Sequence, residues 1–188
     1  MRVIAGSARG LRLQAPPGLN TRPTTDRVKE ALFSIIESTH HLTGSAVLDL
    51  YAGSGALAIE ALSRGAGQAT LIEKSRPTLA ILRKNLQHAR CHERATIICQ
   101  DVLSALEQLA RKAQRFDLIL CDPPYAAGLY ERTIKAAAVV LQPDGMVIAE
   151  TSARDQLAPH LGGCVQYDRR VYGDTALVFY RLEACDAP

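Results

Sequence analysis

Between residues 46 and 150 the sequence alternates short β-rich runs with helical stretches, and this alternation constrains the fold more than any other feature. The strand candidates are residues 46–50, 69–73, 95–99, 116–121 and 145–150, separated by helical stretches near 56–64, 76–90, 102–112 and 129–141. In the second of these stretches Leu79, Leu82 and Leu86 form one apolar face. Such alternation means βαβ units and a parallel sheet with helices on both faces. Farther on, residues 165–172 and 176–182 flank Gly173-Asp174, a two-residue hairpin signal. The expected architecture is an α/β fold with a seven-stranded, mostly parallel sheet: five parallel strands finished by an antiparallel hairpin.

The chain before this unit reads differently. Residues 2–14 form two short strand-like runs around Ser7-Ala-Arg-Gly10, and Pro16, Pro17 and Gly18 break the segment. We read residues 1–24 as a hairpin arm and residues 25–188 as the main domain. Thr24 and Thr25 offer N-caps, Asp26 puts a carboxylate in a first turn, and Val28, Leu32, Ile35 and Ile36 recur at helical spacing. This predicts an amphipathic helix over residues 25–38 that docks the arm on a core. Twenty-two Lys and Arg against 19 Asp and Glu leave a net charge of +3, which says little about partners. The distribution says more, because the first 25 residues hold Arg2, Arg9, Arg12 and Arg22 and no carboxylate.

At 188 residues the chain can bury a full core without disulfides or metal, and 47% hydrophobic content excludes a disordered chain. Cys91, Cys99, Cys121, Cys164 and Cys185 make no C-x-x-C pair, which argues against both a disulfide framework and a zinc site. The five histidines, His40, His41, His88, His92 and His160, show no ligand spacing, so no metal is expected. Residues 1–20 lack the apolar core of a signal peptide, and residues 46–62, the most apolar long stretch, carry Asp49 and Glu60. A cytoplasmic protein with reduced thiols, away from membranes and monomeric, is the expectation.

In an open α/β sheet, ligands bind beyond the carboxyl ends of the strands. Asp49, Gly53, Gly55, Glu73, Asp101 and Asp122 all fall at such ends, with Ala52 inside the first loop. Two readings compete for that loop. Gly53-Ser-Gly55-Ala-Leu-Ala58 fits a dinucleotide fingerprint, with Glu73 at the distance of a ribose acid. Asp49, however, four residues before the first glycine, would repel a pyrophosphate and suit the amino and sulfonium cations of S-adenosylmethionine. With Glu73 for the ribose and Asp101 near the adenine, the set matches what class I methyltransferases present.

Asp122-Pro-Pro-Tyr125 follows directly on the fourth strand. This is the signature of enzymes that methylate a nitrogen conjugated to a π system. Such a nitrogen is a poor nucleophile, and acceptors aimed at its N–H bonds would direct its lone pair at the methyl group. Ionised Asp122 is acceptor-only, and Pro123, with fixed φ, offers its carbonyl as a second acceptor. Tyr125 would stack on a base swung out of its helix or loop. The guanine edge presents N1–H and N2–H side by side, which a carboxylate can accept, whereas adenine presents a donor and an acceptor, which suit an amide better. Asp at position 122 therefore points to guanine N2. Cys121, inside the apolar run, reads as core filler.

Arg22-Pro-Thr-Thr-Asp-Arg-Val-Lys-Glu-Ala-Leu-Phe33, Leu48-Asp-Leu-Tyr-Ala-Gly-Ser-Gly-Ala-Leu57 with Glu60-Ala-Leu-Ser-Arg64, and Asp122-Pro-Pro-Tyr125 together resemble the RsmD family over essentially the whole chain. The resemblance implies a class I, Rossmann-like, S-adenosylmethionine-dependent methyltransferase acting on a guanine of bacterial 16S rRNA, at position 966. It also implies a small ribosomal subunit or its assembly intermediate as substrate. Tyr51 and Tyr125 stand where other members carry Phe, and either ring can stack. Arg9, Arg12, Arg22, Thr24, Thr25 and Arg27 are the RNA-binding candidates, on the expectation that a basic arm contacts phosphates. With only nine Tyr and Phe and no Trp, a stacking platform is not expected. The rival readings are an adenine-N6 or protein-glutamine methyltransferase with the same D-P-P-Y chemistry, a nucleotide-binding oxidoreductase, and a non-catalytic RNA-binding protein.

Overall fold

The structure is a computed structural model that describes residues 1–15, 26–39, 42–124 and 128–183. Its elements in chain order are α1 (Asp26–Thr39), β1 (Ala46–Asp49), α2 (Ala56–Ser63), β2 (Gln68–Ile72), α3 (Arg76–His88), a 3₁₀ turn (His92–Arg94), β3 (Ala95–Ile98), α4 (Val102–Arg111), β4 (Phe116–Cys121), α5 (Leu129–Ala138), β5 (Leu141–Ser152), β6 (His160–Leu161), β7 (Cys164–Tyr172) and β8 (Thr175–Leu182). They form one sheet of order β3-β2-β1-β4-β5-β8-β7-β6. The first five strands in that order are parallel, and β5 to β8, β8 to β7 and β7 to β6 pair antiparallel. This is the predicted α/β fold with one strand more than expected. The eighth is β6, whose two residues are too few to show alternation; the tight turn at Gly162 and Gly163, with φ of 61° and 84°, folds it back on β7.

Residue parity along the strands sorts the core into two layers. Val47, Leu71, Leu118, Leu120 and Ile148 face α1, α2 and α3, meeting Leu32, Phe33, Ile36, Ile59, Leu62 and Leu82. Leu48, Ile119, Cys121, Val147 and Ala149 face α4 and α5, meeting Leu106, Leu109, Ile134 and Ala137. Cys121 is core, as expected from its neighbours. Gly145, the first residue of the strand expected over 145–150, lies within the longer β5 at the point where its register against β4 shifts. A Cβ there would come within 2.9 Å of the Asp117 carbonyl oxygen.

The arm closes as a hairpin through a single antiparallel bridge, Arg2 to Arg12, instead of a ladder. The reason is visible in its hydrogen bonds. The Ile4 and Ala5 amides donate to the Glu60 carboxylate at 2.8 and 3.0 Å, and the Ser7 and Ala8 amides to the carbonyl and hydroxyl of Ser63 at 2.8 and 2.9 Å. Beyond the hydrogen bonds from the Val3 amide to the Leu11 carbonyl and from the Leu13 amide to the Met1 carbonyl, the arm is therefore held by α2. Gly6 passes so close to α2, with φ of 80°, that a Cβ would lie 1.8 Å from the Ser63 carbonyl oxygen. At the other end of the arm, Asn85 of α3 exchanges hydrogen bonds with the Gln14 backbone and also donates to the Ser54 carbonyl at 2.8 Å.

Glu60 is fully buried, and beside the two arm amides it meets Arg64 at 2.8 Å and buried Lys29 at 3.3 Å. Lys29 also donates to the Arg2 carbonyl. Burial pushes the Lys29 ammonium below its usual pKa, and the Glu60 charge opposes that shift. Arg64 continues the network to Glu37 at 3.1 Å and lies over the Phe33 ring.

Candidate active site

The strand order reverses between β1 and β4, so their carboxyl ends open the crevice in which ligands of such sheets sit. Asp49 closes β1. It is buried, and its Oδ2 accepts from the Ala58 amide in the first turn of α2 at 3.3 Å. Burial, reinforced by the charge of Glu73, raises its pKa to about 7, against the pull of the Ala58 and Tyr51 amides.

The loop after β1 is shaped by its glycines. Gly55 caps α2 in a left-handed conformation, φ 81°, and a Cβ would meet Leu82 Cδ1 at 2.4 Å. Gly53, also at positive φ, donates its amide to Glu73 Oε2 at 3.1 Å, while Glu73 Oε1 accepts from Ser75 at 2.7 Å. Glu73 therefore braces the glycine loop and keeps spare acceptor capacity towards the crevice. Ala52 donates to the Ile72 carbonyl at 3.0 Å, locking the loop to the end of β2. Asp101 caps α4, accepting from Leu103 at 3.0 Å with one oxygen.

Asp122 leaves β4 next to this loop. Desolvation of its carboxyl, with the charges of Glu150 and Asp49 adding to it, raises its pKa to about 8, although the residue as a whole is exposed. Pro123 is buried directly behind it. Asp122 and Glu150 line a small cleft, with a cavity of about 10 Å³, together with Leu32, Leu57, Leu120 and Ile148. Tyr51 bonds Thr133 of α5 at 2.8 Å, and burial raises its hydroxyl to about 12. No group of side chains able to hold a metal ion occurs among the described residues. No helix among them is long and apolar enough to cross a membrane.

A family model described as "Conserved hypothetical protein 95" matches residues 1–181. The chain is 35% identical over 187 residues to the Bacillus subtilis protein YlbH, covering 96% of this chain and 98% of that one. It is 34% identical over 190 residues to the Escherichia coli K12 protein named ribosomal RNA small subunit methyltransferase D, covering 98% and 91%.

The chain belongs to the RsmD family.

Among solved structures, the Escherichia coli protein yhhF superimposes on this RsmD-family chain with a TM-score of 0.84 at 35% identity, over 98% of each chain.

Of the residues picked out in the sequence, the fold brings Asp49, Ala52, Gly53, Gly55, Glu73 and Asp122 to one end of the sheet, with Asp101 one strand beyond Glu73. Arg9, Arg12 and Arg27 are exposed. Arg22, Thr24, Thr25 and Tyr125 lie outside the described residues. The picture of an arm with uncompensated charge needs one amendment, because Arg2 pairs with Asp26 of α1 at 2.9 Å. The sequence reading missed Glu60, Ser63 and Asn85 as anchors of the arm, and Glu150 as a cleft residue. Glu150 did carry a signal: an acid at the carboxyl end of the fifth strand, as at the other four.

Proposed function

We propose that this RsmD-family protein transfers a methyl group from S-adenosylmethionine to the exocyclic N2 of a guanine in small-subunit rRNA. One observation carries the reading: two carboxylates, Asp49 and Asp122, with raised pKa values stand at the ends of adjacent strands beside a glycine loop. Carboxyls with raised pKa values ionise readily when a cation comes beside them, which favours a cationic ligand, and once ionised they repel a pyrophosphate. S-adenosylmethionine, when bound, supplies an electrophilic methyl on a positively charged sulfur.

The residues then divide the work. Asp49 would hold the amino group, Glu73 the ribose and Asp101 the adenine edge, while Gly53 and Gly55 leave the backbone open to close approach. Asp122 and the Pro123 carbonyl accept from the amine to be methylated, so that its lone pair turns away from the ring and towards the methyl. Tyr125 stacks on the extruded base. Rate comes from positioning and electrostatics. For the substrate, the arm with Arg9 and Arg12, together with Arg27, supplies phosphate contacts. The E. coli relative named as a small-subunit rRNA methyltransferase supports small-subunit rRNA as the acceptor; our reading adds a small-subunit particle as the substrate and a monomeric enzyme in the cytoplasm.

The test is mass mapping of small-subunit rRNA after incubation of unmethylated particles with the purified protein and labelled S-adenosylmethionine. One N2-methylguanine is expected. Asp122→Asn should lower the rate about 100-fold or more. Label on adenine N6 or on a protein glutamine, or an unchanged rate in the Asn variant, would refute the assignment.

A further inference from the structure

The parallel register sets Cys121 of β4 beside Ala149 of β5, so the next residues, Asp122 just past the end of β4 and Glu150 still within β5, stand side by side. Residue parity puts both on the same face as Leu120 and Ile148, and with them Asp49 two positions beyond Val47. Both carboxylates line the cleft. The backbone of Glu150 is held from two sides: it pairs with Leu177 of β8, and its carbonyl accepts from the Tyr130 hydroxyl of α5 at 2.8 Å. The shared face and the register thus bring two like charges together, and the Glu150 charge helps raise the Asp122 pKa, the arrangement that favours sharing a proton.

The reaction proposed above has a matching need. As the N–C bond forms, the C–S bond breaks and sulfur keeps the electron pair, becoming a neutral thioether. The nitrogen is left cationic with one proton too many. We propose that Glu150 is a second catalytic carboxylate, which together with Asp122 takes up the proton that the methylated nitrogen sheds and passes it to water at the cleft mouth. The timing is electrostatic. While sulfur is cationic, two ionised carboxylates beside it are tolerated; once it is neutral, the same pair favours a proton. Among the described residues Asp49 shares that face, whereas the Cys121 thiol, which burial pushes up, lies in the opposite layer of the core and the Tyr130 hydroxyl meets the Glu150 backbone carbonyl. From α1 and α2 come Leu32 and Leu57, which are apolar.

This inference rests on the methyltransferase reading, and one binding experiment separates the two. Proton release on binding S-adenosylmethionine and S-adenosylhomocysteine is measured at pH 7 by calorimetry in buffers of different ionisation enthalpy. Both ligands carry the amino cation that faces Asp49, so any difference reports the groups facing the sulfonium. The wild-type protein is expected to release more protons with S-adenosylmethionine. Glu150→Gln should abolish that excess and lower kcat on small-subunit particles about 100-fold, with little change in KM for the RNA. Glu150→Asp, which keeps the charge, should retain the excess and serves if the Gln variant fails to fold. An excess that survives in Glu150→Gln, disappears in Glu150→Asp, or is absent from the wild type overturns the role of Glu150. Failure of either ligand to bind the wild type overturns the methyltransferase reading itself.

Discussion

Glu60→Gln removes one charge from the most buried ionic network in the described structure and leaves the shape of the side chain nearly intact. Glu60 serves Arg64 at 2.8 Å, Lys29 at 3.3 Å and the Ile4 and Ala5 amides at 2.8 and 3.0 Å, and every one of these partners is a donor. An amide presents one oxygen and one NH₂ group, so half of the substituted side chain would face donors with a donor. Lys29, 1% exposed, would be left with Asp26 as the opposite charge acting on it. Breaking a buried pair from one side costs about 3–5 kcal/mol, which for a domain of this size is a fall in Tm of roughly 6–20 °C. Urea unfolding gives the free energy, and amide exchange at Ile4 and Ala5 shows whether the arm detaches before the domain unfolds. The pH dependence supplies a sign. Lys29 already has a lowered pKa in the folded state, so its charged form is a cost below that pKa that disappears as pH rises towards 10.5. Without Glu60 that cost grows, so the deficit of the variant should shrink on going from pH 7 to pH 10. Adding Lys29→Met should recover part of the loss. A Gln variant within about 1 kcal/mol of wild type, with arm amides still protected, would refute the claim that Glu60 holds the arm in place.

Three further outcomes are expected. Gly6→Ala should expose the arm to proteolysis, because its Cβ would overlap the Ser63 carbonyl, whereas Gly10→Ala, with nothing within 4 Å, should cost only the strain of its positive φ, about 1–2 kcal/mol; equal effects in a paired digestion assay would contradict the packing. Arg9→Glu with Arg12→Glu should weaken binding to small-subunit particles and flatten its salt dependence while cofactor affinity stays unchanged, and unaltered filter-binding curves would make the arm a structural cap. Finally, Asp49 at about 7 and Asp122 at about 8 hold protons in the folded state that an unfolded chain, with carboxyls near 3.8, has lost. The ligand-free protein should therefore gain stability as pH falls from about 8.5 to 6, and bind S-adenosylmethionine less tightly over the same interval; a thermal-shift series in which both stay flat would contradict the raised values.

Much of the fold was legible because local patterns carry it. The run 116–121 was read with the bounds of β4, and the helix expected over 25–38 is α1 displaced by one residue. The acids at strand ends were legible for the same reason: in an α/β sheet a residue just past a strand already has an address. What escaped were partners distant in sequence. Nothing around Glu60 announces that two amides 55 and 56 residues earlier will end on its carboxylate. On a helix it read as one acid in an apolar stretch. Three backbone hydrogen bonds cross the arm, between Val3 and Leu11, Gly10 and Val3, and Leu13 and Met1, and its tip is held instead by acceptors of α2.

Strand-helix alternation and the position of each acid after its strand are properties of neighbouring residues, and the sequence by itself determined them: a parallel α/β sheet, a glycine loop with Asp49 ahead of it, and Asp122-Pro123 at the end of a strand. Which acids meet was decided only in three dimensions. Asp122 and Glu150 are 28 positions apart in the chain, yet the β4 to β5 register makes them neighbours, and strand parity turns both to the side where Asp49 lies. Charge repulsion depends on separation in space, and separation in space is set by register.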